Sequence, residues 1–235
     1  RALAQLLDLD QLKQNLFKGY ADRITAPFQP SKSYYDTSLQ PIPFDINRAQ
    51  SLFAAAGWID SDHNGILDKK WLNKRLDLKL RFVATPGGLG QQVAIHMQEQ
   101  ARKAGIAIEI ISKPIHLMLE DMQHHDFELA ALADSQYPGP DDPYPSWSTK
   151  SYVEDGQNYT GFGGAVSDSI IDLIRHSEPG DERTNLYKQF QKIIYDEQPA
   201  IFLFAPQNLI VVNKKWDAKA ASVRPGYFAN DFKLR

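Results

Sequence analysis

One stretch of the chain, residues 135–164 (SQYPGPDDPYPSWSTKSYVEDGQNYTGFGG), limits what the rest can build. Directly before it, residues 127–133 (FELAALA) form a short apolar run of the kind that makes a buried strand. After Asp134 the composition changes. Pro138, Pro140, Pro143 and Pro145 argue against a helix and against an inner strand, because proline lacks the amide hydrogen that both require. Gly139, Gly156, Gly161, Gly163 and Gly164 mark turns. Tyr137, Tyr144, Trp147, Tyr152, Tyr159 and Phe162 interleave with them at no regular period. A stretch of roughly thirty residues without secondary structure is uncommon inside a compact domain and is usually functional or disordered. Disordered segments are poor in aromatic residues, so an ordered loop is expected. A loop at the end of a buried strand is where α/β proteins hold ligands. The competing reading is that the rings only pin the loop to its own domain.

Length sets the frame for that loop. With 235 residues the chain is one domain or a large lobe, big enough for a substantial core. Lys and Arg number 26 against 29 Asp and Glu, a net charge of −3, and no basic stretch is interleaved with aromatics. A nucleic-acid face is therefore not expected. The densest basic run, residues 69–81, alternates with apolar residues and reads as the solvated side of a strand. The absence of cysteine excludes thiolate catalysis, Cys-ligated zinc and disulfides. It is compatible with a cell-envelope compartment. No apolar run reaches membrane-spanning length. The chain opens in helical sequence, Arg1-Ala2-Leu3-Ala4, without Met or a capping residue. It is expected to be a fragment of a longer protein, with any signal sequence outside it.

Periodicity supplies the elements. Residues 1–19 give two short helical patterns broken near Asp8. Residues 20–44 are proline-rich and irregular, and Asp45 caps a helix stopped by Gly57. Residues 76–83 alternate cleanly and predict one strand. A helix ending at Lys103-Ala104-Gly105 and a strand over 106–111 complete a βαβ unit. A helix follows from Pro114 to about His124. Two amphipathic helices span about 168–176 and 181–197, and apolar strands are expected at 200–204 and 209–212.

Two side-chain groupings invite a metal. Asp60, Asp62, Asn64 and Asp68 stand at positions 1, 3, 5 and 9 of a calcium-loop pattern, with Gly65 at position 6. The twelfth position, which should be Glu, is Trp71; the alternative is an Asx-rich turn. His116, Glu120 and His124 share one helix face, but two turns separate the imidazoles by about 12 Å of rise, too far for one ion. No catalytic motif of any specificity is present, so an enzyme is not expected.

Several stretches together resemble family 5 extracellular solute-binding proteins, the peptide- and nickel-binding components of ABC importers. They are Arg1-Ala2-Leu3 with Asp10-Gln11-Leu12 and Lys18-Gly19, then Phe44-Asp45 with Arg48-Ala49-Gln50-Ser51-Leu52 and Ala56-Gly57-Trp58. They continue with Arg102-Lys103-Ala104-Gly105-Ile106, Asp142-Pro143, Asn158-Tyr159, Arg183 with Leu186-Tyr187, and Gln198-Pro199-Ala200-Ile201. Their order and spacing carry the resemblance. It implies an α/β fold of the periplasmic-binding-protein type II kind, a mixed sheet flanked by helices. Residues 1–215 would be the C-terminal lobe, and 216–235 a segment returning toward the other lobe. A peptide or other small solute would bind between the lobes as they close on a hinge. The partner would be the ABC permease, in the periplasm or cell envelope, with a lipid anchor as one way of holding it at the membrane. No cofactor is implied beyond the calcium candidate.

The same resemblance points to Ser135, Gln136, Tyr137 and Asp141 as ligand contacts, followed by Trp147, Asn158 and Tyr159. Peptide binders of the family usually carry a Gly-Trp-type pair after the strand, then an Asp that pairs with the ligand's amino terminus. Counting back from Asp142-Pro143 puts Ser135-Gln136 at the pair and Gly139 at that Asp, with Asp141 as a neighbouring substitute. A related fold also serves as the ligand-sensing domain of some transcription regulators, which is the alternative function.

Overall fold

The computed structural model describes residues 1–135, 139–221 and 226–235. Two side-chain caps set its first elements. Asp8 follows a short 3-10 turn (Leu3–Leu6) and accepts the Gln11 amide at 2.9 Å, which opens α1 (Leu9–Phe17). Lys18, in the left-handed region, closes it. β1 (Ala21–Arg23) lies inside the segment expected to be irregular. Asp45 accepts the Arg48 amide at 2.8 Å and opens α2 (Ile46–Ala55).

The single strand expected over 76–83 is two strands in two sheets. β2 (Asp68–Trp71) and β3 (Lys74–Asp77) form an antiparallel hairpin, whereas β4 (Lys79–Ala84) joins the central sheet. The change of partner falls at buried Leu78. Its amide donates to the Leu67 carbonyl at 2.7 Å, and its carbonyl accepts the Ala107 amide at 3.1 Å. A strand can keep its period of two while changing partners, so the break leaves no mark in the alternation.

α3 (Leu89–Lys103) and β5 (Ala107–Ser112) complete the expected βαβ unit. β4 and β5 pair in parallel from Lys79↔Ala107 to Ala84↔Ser112. α4 (Ile115–Gln123) leads to β6 (Leu129–Ala130), which pairs in parallel with the other side of β4 and gives the order β5-β4-β6. One core lies on this sheet, where α3 buries Val93, Ala94, Met97 and Ala101 against Phe82, Ala84 and Ile108. Each fully buried side chain the size of Val or Met contributes about 1.5–3 kcal/mol.

The loop after β6 is less irregular than its prolines suggest. α5 (Tyr144–Trp147) is one helical turn, with Pro143 as its N-cap and Pro145 in its first turn. The missing proline amides cost nothing there, because a helix leaves its first amides unpaired in any case. The expectation that all four prolines exclude a helix is corrected at this turn.

α6 (Ala165–His176) and α7 (Asp181–Glu197) carry a second core of Ile171, Ile174, Leu186, Tyr187, Phe190 and Ile194, joined by Phe28, Tyr34 and Phe162. β7 (Phe204–Pro206) pairs antiparallel with β1, from Ala21↔Pro206 to Arg23↔Phe204, and ties the two ends of the chain. The strand expected at 209–212 does not form, and Val211 there is 96% exposed. β8 (Trp216–Asp217) and β9 (Lys233–Leu234) make a last antiparallel ribbon. Parallel and antiparallel pairing are both present, in separate sheets among the described residues.

Candidate functional site

The carboxyl ends of β4 and β6 meet the start of α3. Gly90, in its first turn, lies so close to the chain after β6 that an added Cβ would stand 3.2 Å from that of Ala131. Glycine there lets helix and strand end share one edge. Beyond it, Leu132, Ala133, Asp134 and Ser135 are exposed, and the Ser135 amide donates to the Asp134 carboxylate at 2.7 Å. Gln136 and Tyr137, the next two candidates, lie outside the described residues.

Asp141 faces inward. Its carboxylate accepts the Tyr34 hydroxyl at 2.7 Å and lies 3.8 Å from the Lys32 ammonium, while its own amide donates back to the Tyr34 oxygen at 3.0 Å. Its carbonyl accepts the Tyr187 hydroxyl. The two tyrosine rings stack at 4.0 Å. Burial pushes the Asp141 carboxyl above the ordinary range, and the Tyr34 and Lys32 contacts offset only part of that. The same burial, and the hydrogen bond to Asp141, raise Tyr34 as well. The carboxylate expected to contact a ligand thus fastens the loop to the second core. Asp142 beside it accepts the Tyr144 amide at 3.0 Å, an Asx turn leading into α5, and pairs with Arg175 at 3.3 Å.

The remaining candidates divide in the same way. Trp147 is partly buried, edge-on to Phe162 at 5.7 Å and tilted against Phe202 at 6.1 Å. Asn158 is 0% exposed. Its amide nitrogen donates to the carbonyls of Ser148 at 3.0 Å and Phe162 at 2.8 Å, and its oxygen accepts the Thr160 hydroxyl at 3.3 Å. Tyr159 packs partly buried against Val83, Met118 and Met122, beneath the sheet edge. Asp168, in the first turn of α6, accepts the Ser148 hydroxyl at 3.0 Å, the Thr149 amide at 2.9 Å and the Thr149 hydroxyl. Burial works to raise its carboxyl, but these bonds outweigh it and hold the group below the ordinary range. The loop is therefore fixed from behind at Asp141, Asn158 and Asp168, and its opening residues 132–135 are the exposed part.

Sequence reasoning passed over Tyr34 and Gln191 and used Tyr187 only as part of the resemblance. Gln191 is fully buried, donates to the carbonyls of Tyr34 at 2.7 Å and Tyr187 at 3.0 Å, and accepts the Asp36 amide at 3.0 Å. A polar residue on the apolar face of a helix, one turn after Tyr187, was the available signal.

The acidic turn serves itself. Oxygens of Asp60, Asp62 and Asp68 come within 4.8 Å of one another. Asp60 already accepts the amides of Asn64 and Gly65, both at 3.0 Å, and Asp68 accepts the Ser61 amide at 2.8 Å and its hydroxyl. These Ser61 bonds hold the Asp68 carboxyl below the ordinary range. Arg75 lies 2.6 Å from Asp62, and the Asn64 oxygen accepts the Ile66 amide at 2.8 Å. These bonds make an Asx-rich turn in which Arg75 already takes one carboxylate of the acidic set. In the other grouping, His116 and Glu120 lie on the exposed face of α4, opposite buried Met118 and Met122.

A model of the bacterial extracellular solute-binding proteins, family 5 middle, matches residues 1–155. The oligopeptide-binding protein AppA of Bacillus subtilis is 24% identical over 214 residues, covering 88% of this chain and 38% of that protein. The nickel-binding protein NikA of Staphylococcus aureus is 23% identical over 217 residues, covering 91% of this chain and 40% of that protein. The solved structure of Bacillus subtilis AppA in complex with a nonapeptide superposes with a TM-score of 0.83 at 21% identity, over 100% of this chain and 46% of that one. The likeness to that structure is one of fold, and the chain spans about two-fifths of the length of these curated relatives. The matched residues run from the first helical turn through the sheet and most of the loop, so the chain belongs to the family 5 bacterial extracellular solute-binding proteins.

Proposed function

We propose that this chain forms one wall of the solute site in the binding component of an ABC importer. A peptide or another small solute is held between this lobe and a second lobe, which closes by hinge motion. The observation that carries the reading is the loop after β6, fastened from behind at Asp141, Asn158 and Asp168 while residues 132–135 stay exposed at the carboxyl ends of parallel strands. A wall of this kind offers backbone groups and small pockets to an extended ligand and needs no catalytic group. Ser135, with Gln136 and Tyr137, is the part that touches solute. Trp147 and Tyr159 shape the rim, and Asp141 and Asn158 act by holding the loop.

Residues 1–215 then form the lobe, and 216–235 turn back toward the other lobe. An open apolar concavity of about 460 Å³, lined by Ile210, Val211, Trp216, Tyr227 and Phe232, supports that assignment. The compartment is the periplasm or cell envelope, the partner is the permease, and a lipid anchor fits that setting. None of the relatives named above is a regulator. Calorimetric titration with a peptide pool tests the reading on this chain and on a longer protein that carries both lobes. The chain alone is expected to bind more weakly, having lost the facing half of the buried ligand surface. Equal affinity, or no binding by either, would count against it.

A further inference from the structure

The hairpin of β2 and β3 takes no part in the wall described above, and its tip breaks two local rules. Lys70 stands opposite Arg75 and Trp71 opposite Lys74, so the connection is the two-residue turn Leu72-Asn73. Leu72 has φ +53°, where two-residue hairpin turns favour Gly or Asn and a leucine is strained. Lys70 and Arg75 are like charges directly across the ladder, an arrangement that weakens a hairpin. Leu72 is nevertheless 84% exposed and Trp71 61% exposed.

Charge is sorted along the hairpin. The acids lie at its base, where Asp68 faces Asp77. Asp77 takes Lys79 at 2.8 Å, and Arg75 reaches Asp62 at 2.6 Å. Among the described residues, Lys70 and Lys74 have no acidic partner. The distal end therefore presents an indole and a leucine side chain flanked by two unpaired ammonium groups. Glycine at 72 and a carboxylate at 70 would remove both local costs, and water alone gives the tip no return for keeping them.

We propose that this tip docks on the surface of a bilayer containing anionic lipid. An indole belongs at headgroup level, a leucine at the acyl boundary, and lysines against the headgroup phosphates. No helix among the described residues is long and apolar enough to cross a membrane, so the contact is peripheral. The inference does not depend on the solute reading.

Flotation of the full chain with vesicles rich in phosphatidylglycerol, against vesicles of phosphatidylcholine alone, tests it. Binding to the anionic vesicles is expected to be at least about ten-fold stronger and to fall with salt. Paired Trp71→Ala and Leu72→Gly substitutions are expected to reduce it about ten-fold, and paired Lys70→Glu and Lys74→Glu to abolish the preference for anionic lipid. Leu72→Gly relieves the turn, so its thermal midpoint should hold or rise, which separates lost docking from lost folding. Equal binding to both vesicle types, or binding unchanged by the tip substitutions, would overturn the proposal. So would binding that appears only with a purified permease in detergent.

Discussion

Asn158 has no exposed surface, and its amide nitrogen donates to two carbonyls, that of Ser148, which also accepts the Ser151 amide at 3.0 Å, and that of Phe162. Asn158→Leu is expected to cost about 1–3 kcal/mol, because it leaves the Phe162 carbonyl without its donor and removes one of two from Ser148. Asn158→Asp should cost more at neutral pH, since a carboxylate would face those carbonyls. Thermal unfolding measures both, and wild-type stability in the aspartate variant would refute this role. Asp141 and Asp168 carry opposite pH signs. Burial raises Asp141, so the folded chain holds that proton more tightly; its contribution is present at acid pH and is lost as pH rises through the raised value. Asp168 is depressed, so its contribution is present above the unfolded value and is lost as pH falls through the folded one. Asp141→Asn is therefore expected to gain on wild type as pH rises above the ordinary carboxylate range. Asp168→Ala should lose about 1–2 kcal/mol at neutral pH, a deficit that shrinks in acid. Urea midpoints across that range test the pair, and parallel pH profiles for the two variants would contradict the assignment. Sequence marked Asn158 and Asp141 as important but not how. An amide that holds a loop and one that holds a ligand are the same residue type, and only the nearness of Ser148, Phe162 and Tyr34 separates them.

The elements that were legible are those whose signal is local. The period of 3.6 in α3 and α7, the break near Asp8, the cap at Asp45 and the alternation through β4 all act within a few residues. What was not legible depends on partners far along the chain. β1 has three residues and pairs with a strand some 180 positions later, so no period could announce it. The apolar run at 209–212 looked like a strand by composition, yet no described strand pairs with it. The acidic turn shows the same limit at the level of a motif. Its spacing is that of a calcium loop, but Arg75, delivered by the hairpin, lies 2.6 Å from Asp62, and backbone amides bond both Asp60 oxygens. Millimolar calcium is accordingly expected to leave the thermal midpoint within about 1 °C, since a ligand stabilises only as far as it binds the folded state. A rise that disappears in Asp60→Asn would reinstate the metal site.

At the scale of the molecule, the sheet core and the helical core are joined by β1–β7, while the tail is held differently. Among the described residues, the tail beyond Leu209 forms hydrogen bonds and ion pairs only within itself: Trp216 to Asn213, Ala221 to Gly226, Arg235 to Lys215 and Asp217. Phe232 contacts the rings of Trp216 and Tyr227, which gives the tail a small cluster of its own. Val211 lines the concavity beside that cluster, and Leu209, Phe228 and Leu234 of the same tail are also exposed. Scattered apolar side chains on a surface need no explanation, but a grouped set beside a concavity marks a face that something covers. In the two-lobe reading the cover is the second lobe. A chain lacking that lobe has only copies of itself to meet the face, and two tails can bury the same side chains against each other. The chain alone is therefore expected to sediment with a concentration-dependent coefficient, rising toward dimer. Paired Val211→Asp and Leu234→Asp should restore a monomer without lowering the thermal midpoint, because neither side chain belongs to either core. In the two-lobe reading, this chain joined to a second lobe should be monomeric with the wild-type tail. If sedimentation velocity finds the unaltered chain monomeric at every concentration, the exposed face is not adhesive, and the tail loses its role as the return segment between lobes.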